Sequence, residues 1–254
     1  MYILAIDTSA ARFSAAISVC DNILSYVKSI KLNNHAEDSI ILINKMLKEL
    51  EITYKDISII SLMTGPGSNM GIKIGISIVN AISALYEVDI ITIKNTELIF
   101  HIAKKQSDEY DYLIAMCEIT SDKCYIEIMD KSNYIIARSE NLKYSELDSF
   151  FNNFILQYPD FIDGIKIANG DAAIKYFSNI ISFNILNNYN EFKDINILTK
   201  LQNNAEITQE IFNHKQIFKN LLVLCTYASD AKRMIKLTRL KHKNNLIHKG
   251  DILF

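Results

Sequence analysis

Between residues 2 and 105 the apolar side chains alternate between the two periods that strands and helices impose, and this constrains the fold more than any other feature. YILAID at 2–7, FSAAISVC at 13–20 and ILSYVK at 23–28 are short β-branched or apolar runs joined by turn-sized connections, as a three-strand meander requires. From His35 to Leu50 the pattern becomes helical: Ile40, Ile43, Leu47 and Leu50 recur at spacings of three and four, and Leu42 and Met46 widen the stripe. ISIISLM at 57–63 predicts a strand, GPGS a sharp loop, and Met70 to Leu85 a second helix. A strand at 90–93 and a helix over Glu97 to Lys105 complete the series. The order β-β-β-α-β-α-β-α is that of an α/β layer fold with a mixed sheet.

The second half repeats the theme less clearly, with apolar runs at 112–118, 123–129 and 134–137 and a helix over Ser145 to Gln157, which is the expectation for a degenerate duplication. IKIANGDAA at 165–173 reads as strand, turn and helix start, whereas Asn184 to Asn204 has little periodicity and predicts loops. A chain of 254 residues with 49% hydrophobic and 22% charged residues can bury a large core without staples. Its net charge of −2 carries no global footprint for nucleic acid, so RNA contact must come from a local patch or a partner. Cys20, Cys117, Cys124 and Cys225 show no C-x-x-C spacing, which argues against structural zinc or a redox pair. MYILAIDTSAARF lacks a basic start and no run reaches the roughly 20 apolar residues of a membrane span, so a cytoplasmic protein is expected.

Two stretches lift the sequence above a generic α/β protein: ILAIDTS at 3–9 and TGPGSNMGIKIG at 64–75. Together they resemble the TsaB (YeaZ) family, whose members open on a strand ending in Asp-Thr-Ser and carry Gly-Pro-Gly-Ser followed by Phe-Thr-Gly-Leu-Arg-Ile-Gly. NHAEDSIILINKML, CEITSDKCYIEIM, NGDAAI and YASDAK at 227–232 are weaker echoes. Asn69 and Met70 stand where the family has Phe-Thr, and Lys73 stands for its Arg, which would turn a bidentate anion contact into a point-charge contact.

The resemblance implies an actin-like, ribonuclease H-like bilobed fold, with an N-terminal lobe over 1–106, a degenerate second lobe over 107–233 and a basic tail over 234–254. It further implies a non-catalytic scaffold that pairs with the catalytic subunit TsaD, with TsaE in the wider complex. Together these would support N6-threonylcarbamoylation of the adenosine beside the anticodon of tRNAs reading ANN codons. ATP and metal are then expected on the partner, and no cofactor on this chain. The rivals are a small ATPase or glycoprotease-like hydrolase of the same fold, and a stand-alone homodimer.

The residues bear on that choice. Nucleotide-binding members of such a fold end their first strand in a glycine turn, whereas this one reads Asp7-Thr8-Ser9-Ala10. Asp7, Thr8 and Ser9 are therefore either a self-satisfied strand end or part of an anion contact. The catalytic relatives hold metal with two histidines four apart on a helix; here His35 is followed at that distance by Ser39. His101, His214, His242 and His248 have no histidine partner at i+3 or i+4. At Gly65, Pro66, Gly67 and Ser68 the sequence predicts a capped helix entry, with Lys73 one turn in; an added phosphate contact is the alternative.

The following helix is apolar nearly all round, which requires burial on more than one side. It is either a wedge inside the fold or half of a partner interface formed by Met70, Ile74, Ile78 and Ile82 with Ile40, Ile43, Met46 and Leu47 of the first helix. Small residues at Gly71, Gly75, Ser77, Ala81, Ser83 and Ala84 would let another backbone come close. Finally, Lys232, Arg233, Lys236, Arg239, Lys241, Lys243 and Lys249 form a run without an acid between Asp230 and Asp251. It is either a solvated face over an inner Ile235, Leu237 and Leu240 stripe, or a tRNA contact through Lys232, Arg233, Lys236 and Arg239.

Overall fold

The computed structural model describes residues 1–20, 22–32, 34–177, 221–224 and 231–244, with the side chains of Gln106, Lys232 and 221–224 outside that description. β1 (Tyr2–Asp7) is apolar at every inner position, and Ile3, Leu4, Ala5 and Ile6 are all fully buried, as befits a strand covered on both faces. It pairs antiparallel with β2 (Ser14–Val19), from Tyr2 opposite Val19 to Asp7 opposite Ser14. β2 pairs antiparallel with β3 (Asn22–Lys28), whose alternating exposure marks an edge strand with one solvated face. On its other side β1 runs parallel to β4 (Ile57–Met63), and β4 parallel to β5 (Asp89–Ile93), giving the order β3-β2-β1-β4-β5.

Two helices cover one face of this sheet. Ile43, Met46 and Leu47 of α1 (His35–Glu49) and Val79 and Ile82 of α2 (Asn69–Tyr86) join Leu4, Ile6, Ile17, Ile60 and Leu62 in one core. α3 (Asn95–Gln106) follows β5. The opposite face is covered from the far end of the chain by a helix, α6, at Ala231–Lys243. Met234, Ile235 and Thr238 are buried there; Thr238 Oγ1 meets Ser61 Oγ at 2.7 Å, and Ala231 N–H donates to Ser14 Oγ at 3.1 Å.

The second sheet repeats the first. β6 (Tyr112–Thr120) and β7 (Lys123–Asp130) are antiparallel, as are β7 and β8 (Ile135–Lys143). β9 (Lys166–Asn169) lies parallel to β6, and β10 (Leu221–Leu224) parallel to β9. The order β10-β9-β6-β7-β8 is that of the first sheet read from its other edge, with the same sense at every pairing. The duplication that the sequence suggests is thus carried by topology, and the repeated arrangement is that of an actin-like fold. The core of the second sheet is aromatic: Phe151 and Phe154 of α4 (Leu147–Gln157), Phe161, and Tyr176 and Phe177 of α5 (Asp171–Phe177) pack on Ile114, Met116, Ile126 and Ile128.

The chain divides into two compact units, one of Met1–His101 with Ala228–Phe254 and one of Ile102–Tyr227. The sequence-based boundary after Arg233 falls inside α6, and the helix belongs to the first unit because its apolar side completes the first sheet. The Asn184–Asn204 stretch lies outside the described residues.

Candidate functional site

The two motif stretches meet where β1 ends and α2 begins. Asp7 Oδ1 accepts from both the N–H and the Oγ of Ser9, each at 2.8 Å, so the strand end is closed by its own side chains. The glycines of the second motif let α2 lie directly on this turn. A β-carbon at Gly67 would stand 2.6 Å from the Ser9 carbonyl oxygen. One at Gly71 would stand 1.9 Å from the Thr8 carbonyl oxygen, and one at Gly75 would stand 2.3 Å from Thr8 Oγ1. Only hydrogen fits at the first two, where the neighbour is backbone.

The loop itself is tied down. Ser68 N–H donates to the Ser9 carbonyl at 2.8 Å, and Ser68 Oγ caps α2 by accepting from Gly71 N–H at 3.2 Å. Asn95 holds the far side, its N–H on the Gly65 carbonyl at 2.6 Å and its Nδ2 on the Pro66 carbonyl at 2.9 Å. Asp7, Thr8, Ser9, Gly65 and Gly67 are buried, Ser68 is half-buried, and Lys73 is exposed on the side of α2 turned away from Gly71 and Gly75. Of the two readings the sequence left open for these seven residues, the self-closed strand end and the capped helix entry are the ones whose hydrogen bonds are present. The Ser68 and Gly71 N–H groups bond within the chain, and Lys73 does not converge on the turn.

His35 heads α1 and is buried beside Gly71, whose β-carbon would lie 3.4 Å from His35 Cδ2. Burial lowers its pKa below the ordinary 6.5, while the Ala10 backbone and the Asp7 and Asp38 carboxylates pull more weakly the other way. Ser39, one turn on, is also buried, and its Oγ donates to the His35 carbonyl. Among the described residues no three His, Cys, Asp or Glu side chains gather as a metal-holding group. In the second unit, burial raises the Cys117 thiol well above its ordinary value and pushes Cys124 up to about 12, so neither supplies a thiolate nucleophile at neutral pH.

The eight residues expected to form one partner interface divide. Ile43, Met46, Leu47 and Ile82 are core: they are at most 5% exposed and pack on the sheet. These four take the place inside the fold that the sequence left open as the alternative to an interface, and for Ile82 the reason is the glycines. Because Gly71 and Gly75 bring α2 so close to β1, the face of α2 that holds Gly71, Gly75, Val79 and Ile82 is the inward one. The opposite face carries Met70 (69% exposed), half-buried Ile74 and exposed Ser77, Ala81, Ala84 and Leu85 (75%), with Lys73 its one charge among them. Ile78 is half-buried between the two sides. On α1 the exposed apolar residues are Ile40 (40%) and Ile41 (67%); sequence reasoning missed Ile41 and Leu85, which lie off the i, i+4 ridge.

On α6 the inner stripe is Ala231, Met234, Ile235 and Thr238, not Ile235, Leu237 and Leu240: Leu237 is half-buried and Leu240 is 46% exposed. Lys241 turns inward to the Thr92 carbonyl at 2.8 Å and Glu97 at 2.7 Å. Arg233 and Arg239 are half-buried and Lys236 and Lys243 exposed, while the Lys232 side chain, Cys225, His214, His248 and Lys249 lie outside the described residues.

Known proteins share this architecture. The structure of YeaZ from Pseudomonas aeruginosa superposes with a TM-score of 0.58 at 12% identity, covering 98% of this chain and 95% of that one. A second structure, described as an uncharacterized protein with similarity to peptidase YEAZ from the same organism, gives 0.60 at 12% identity over the same shares. In sequence, the tRNA threonylcarbamoyladenosine biosynthesis protein TsaB of Buchnera aphidicola is 30% identical over 114 residues, 45% of this chain. The match spans about half of that relative's length, 54%. No described helix is long and apolar enough to cross a membrane. The model of the family described as TsaD, tRNA N6-adenosine threonylcarbamoyltransferase, matches residues 27–242, and the chain belongs to that family.

Proposed function

We propose that this chain is a TsaB-type subunit without catalysis of its own. It pairs through the outer faces of α1 and α2 with a catalytic TsaD-type subunit, alongside TsaE, and so supports threonylcarbamoylation of the adenosine beside the anticodon in tRNAs reading ANN codons. ATP and metal then sit on the partner. The name of the Buchnera relative and the family membership support the pathway. The closed Asp7–Ser9 turn supports the absence of a nucleotide site in this chain.

The observation that carries the pairing is the outer face of α2, where Met70 and Leu85 stand in solvent around the small residues Ser77, Ala81 and Ala84. Small exposed side chains between large apolar ones let a second helix approach closely while the large ones anchor it. Burying a large side chain is worth roughly 1.5–3 kcal/mol, so Met70 and Leu85 together with Ile40 and Ile41 of α1 offset much of the roughly 4–15 kcal/mol that association costs.

The test uses Met70→Glu and Ile40→Glu, both at exposed positions where a carboxylate stays hydrated in the free chain. With the purified TsaD-type subunit, the wild-type chain co-elutes on size exclusion; each variant melts as wild type does but binds at least about 100-fold more weakly, a loss of roughly 3 kcal/mol. A folded double variant that still co-elutes refutes the interface, as does a wild-type chain that forms only homodimers in the subunit's presence.

A further inference from the structure

We propose that the outer face of α6 is a docking surface for RNA phosphates; the identification of that RNA as tRNA rests on the function proposed above. The helix sequence AKRMIKLTRLKHK has no carboxylate, and its two sides are sharply different. Ala231, Met234, Ile235 and Thr238 are buried against the first sheet. Lys241 is turned inward and takes up Glu97, the carboxylate that α3 brings to this helix. The basic residues of the outer side follow at spacings of three or four: Arg233, Lys236, Arg239 and Lys243. At 3.6 residues per turn they fall within an arc of about 120°, and at 1.5 Å per residue they run for about 15 Å along the axis. Lys236 and Lys243 are the exposed members of the row.

Arg233 and Arg239 are half-buried and have partners within the chain, so the contact falls to Lys236 and Lys243, two turns apart on the exposed side with no acid of the helix between them, a spacing that suits phosphates along a strand. The face suits a protein partner poorly, because protein interfaces are built around aromatic and large apolar anchors, and among the described residues of this face Leu240, 46% exposed, is the one exposed large apolar side chain. The chain's net charge of −2 means that attraction must be local, which makes the face an orienting contact and not a general affinity for polyanions.

The test is a fluorescence-anisotropy titration of a labelled tRNA transcript with the full-length chain across a salt series. It compares wild type with Lys236→Glu/Lys243→Glu, and with Lys236→Gln/Lys243→Gln if the charge reversal melts early. Each phosphate contact contributes about 0.7–0.9 to the slope of log affinity against log salt, so removing two lowers the slope by about 1.4–1.8, with binding at least tenfold weaker. The inference is overturned if wild type does not bind the transcript, or if a folded double variant keeps the wild-type slope. It is equally overturned if the variant loses the catalytic subunit while its RNA titration is unchanged, which would make the face a protein contact. Pairing through Met70 is read without RNA, so either proposal can fail while the other holds.

Discussion

Replacing Gly71 by alanine tests how α2 is seated. The added β-carbon would lie 1.9 Å from the Thr8 carbonyl oxygen and 3.1 Å from the Thr8 carbonyl carbon, against ordinary contacts of 3.4–4 Å. The obstacle is backbone at the end of a central strand, and Ser68 N–H on the Ser9 carbonyl pins the helix entry to the same turn. The helix must back away by about 1.5 Å or the turn must open; overpacking of this kind costs about 1–3 kcal/mol, and the severity of the clash argues for the upper end. Alanine recovers at most about 1 kcal/mol through its better helix propensity. The net loss is about 2 kcal/mol, which lowers Tm by roughly 4–8 °C in a chain of this size. Differential scanning calorimetry on wild type, Gly71→Ala and Ser77→Ala measures it. Ser77 sits on the exposed side with its Oγ on the Lys73 carbonyl at 2.9 Å, so its alanine variant should melt within about 1–2 °C of wild type. A Gly71→Ala protein as stable as wild type would refute the claim that the glycines set the inward face.

Other expectations follow from the same geometry. Because burial lowers the His35 pKa, the unfolded chain takes up that proton first as pH falls through the ordinary 6.5, so the folded state loses stability below that pH. Urea midpoints over a pH series should fall less steeply between about pH 6.5 and 5 in His35→Phe than in wild type; parallel curves would remove His35 as the cause. Ending the chain after Arg233 removes Met234, Ile235 and Thr238 from the first sheet, each of the two large ones worth about 2–5 kcal/mol on truncation, and circular dichroism should show loss of the cooperative transition. Glu87 closes α2 in the left-handed region at φ 55°, so Glu87→Gly should stabilise the protein by up to about 1 kcal/mol, read as a rise in the urea midpoint.

Much of this was legible in the sequence where one period dominates. The strand expected at 57–63 is β4 residue for residue, and the helix expected at 70–85 is α2 less one residue at each end. The Gly-Asp turn before α5 is likewise where the spacing puts it. What hydropathy could not reveal is which way an apolar helix faces. Gly71 and Gly75 contribute almost nothing to an apolar stripe, yet they define the buried face of α2 by admitting Thr8, so Met70 and Ile74 are turned outward and Ile82 inward. The small residues read together as one approach surface divide accordingly: Gly71, Gly75 and Ser83 face the fold, and Ser77, Ala81 and Ala84 face outward. The return of α6 to the first sheet was illegible for a different reason. It joins residues more than two hundred positions apart through pairs such as Ala231 with Ser14, and charge patterning alone carries no address.

Reconstituted tRNA modification tests the central claim most directly. Unmodified tRNA, the threonylcarbamoyl donor and ATP are incubated with the TsaD-type subunit and TsaE, with and without this chain, and the modified nucleoside is quantified by mass spectrometry. The account predicts that product forms only when the catalytic subunit and this chain are both present. It also predicts that Met70→Glu abolishes product, and that Asp7→Ala acts only as far as it weakens the fold. Product formation or ATP turnover by this chain without the catalytic subunit, lost on Asp7→Ala in a protein that melts as wild type does, would contradict it.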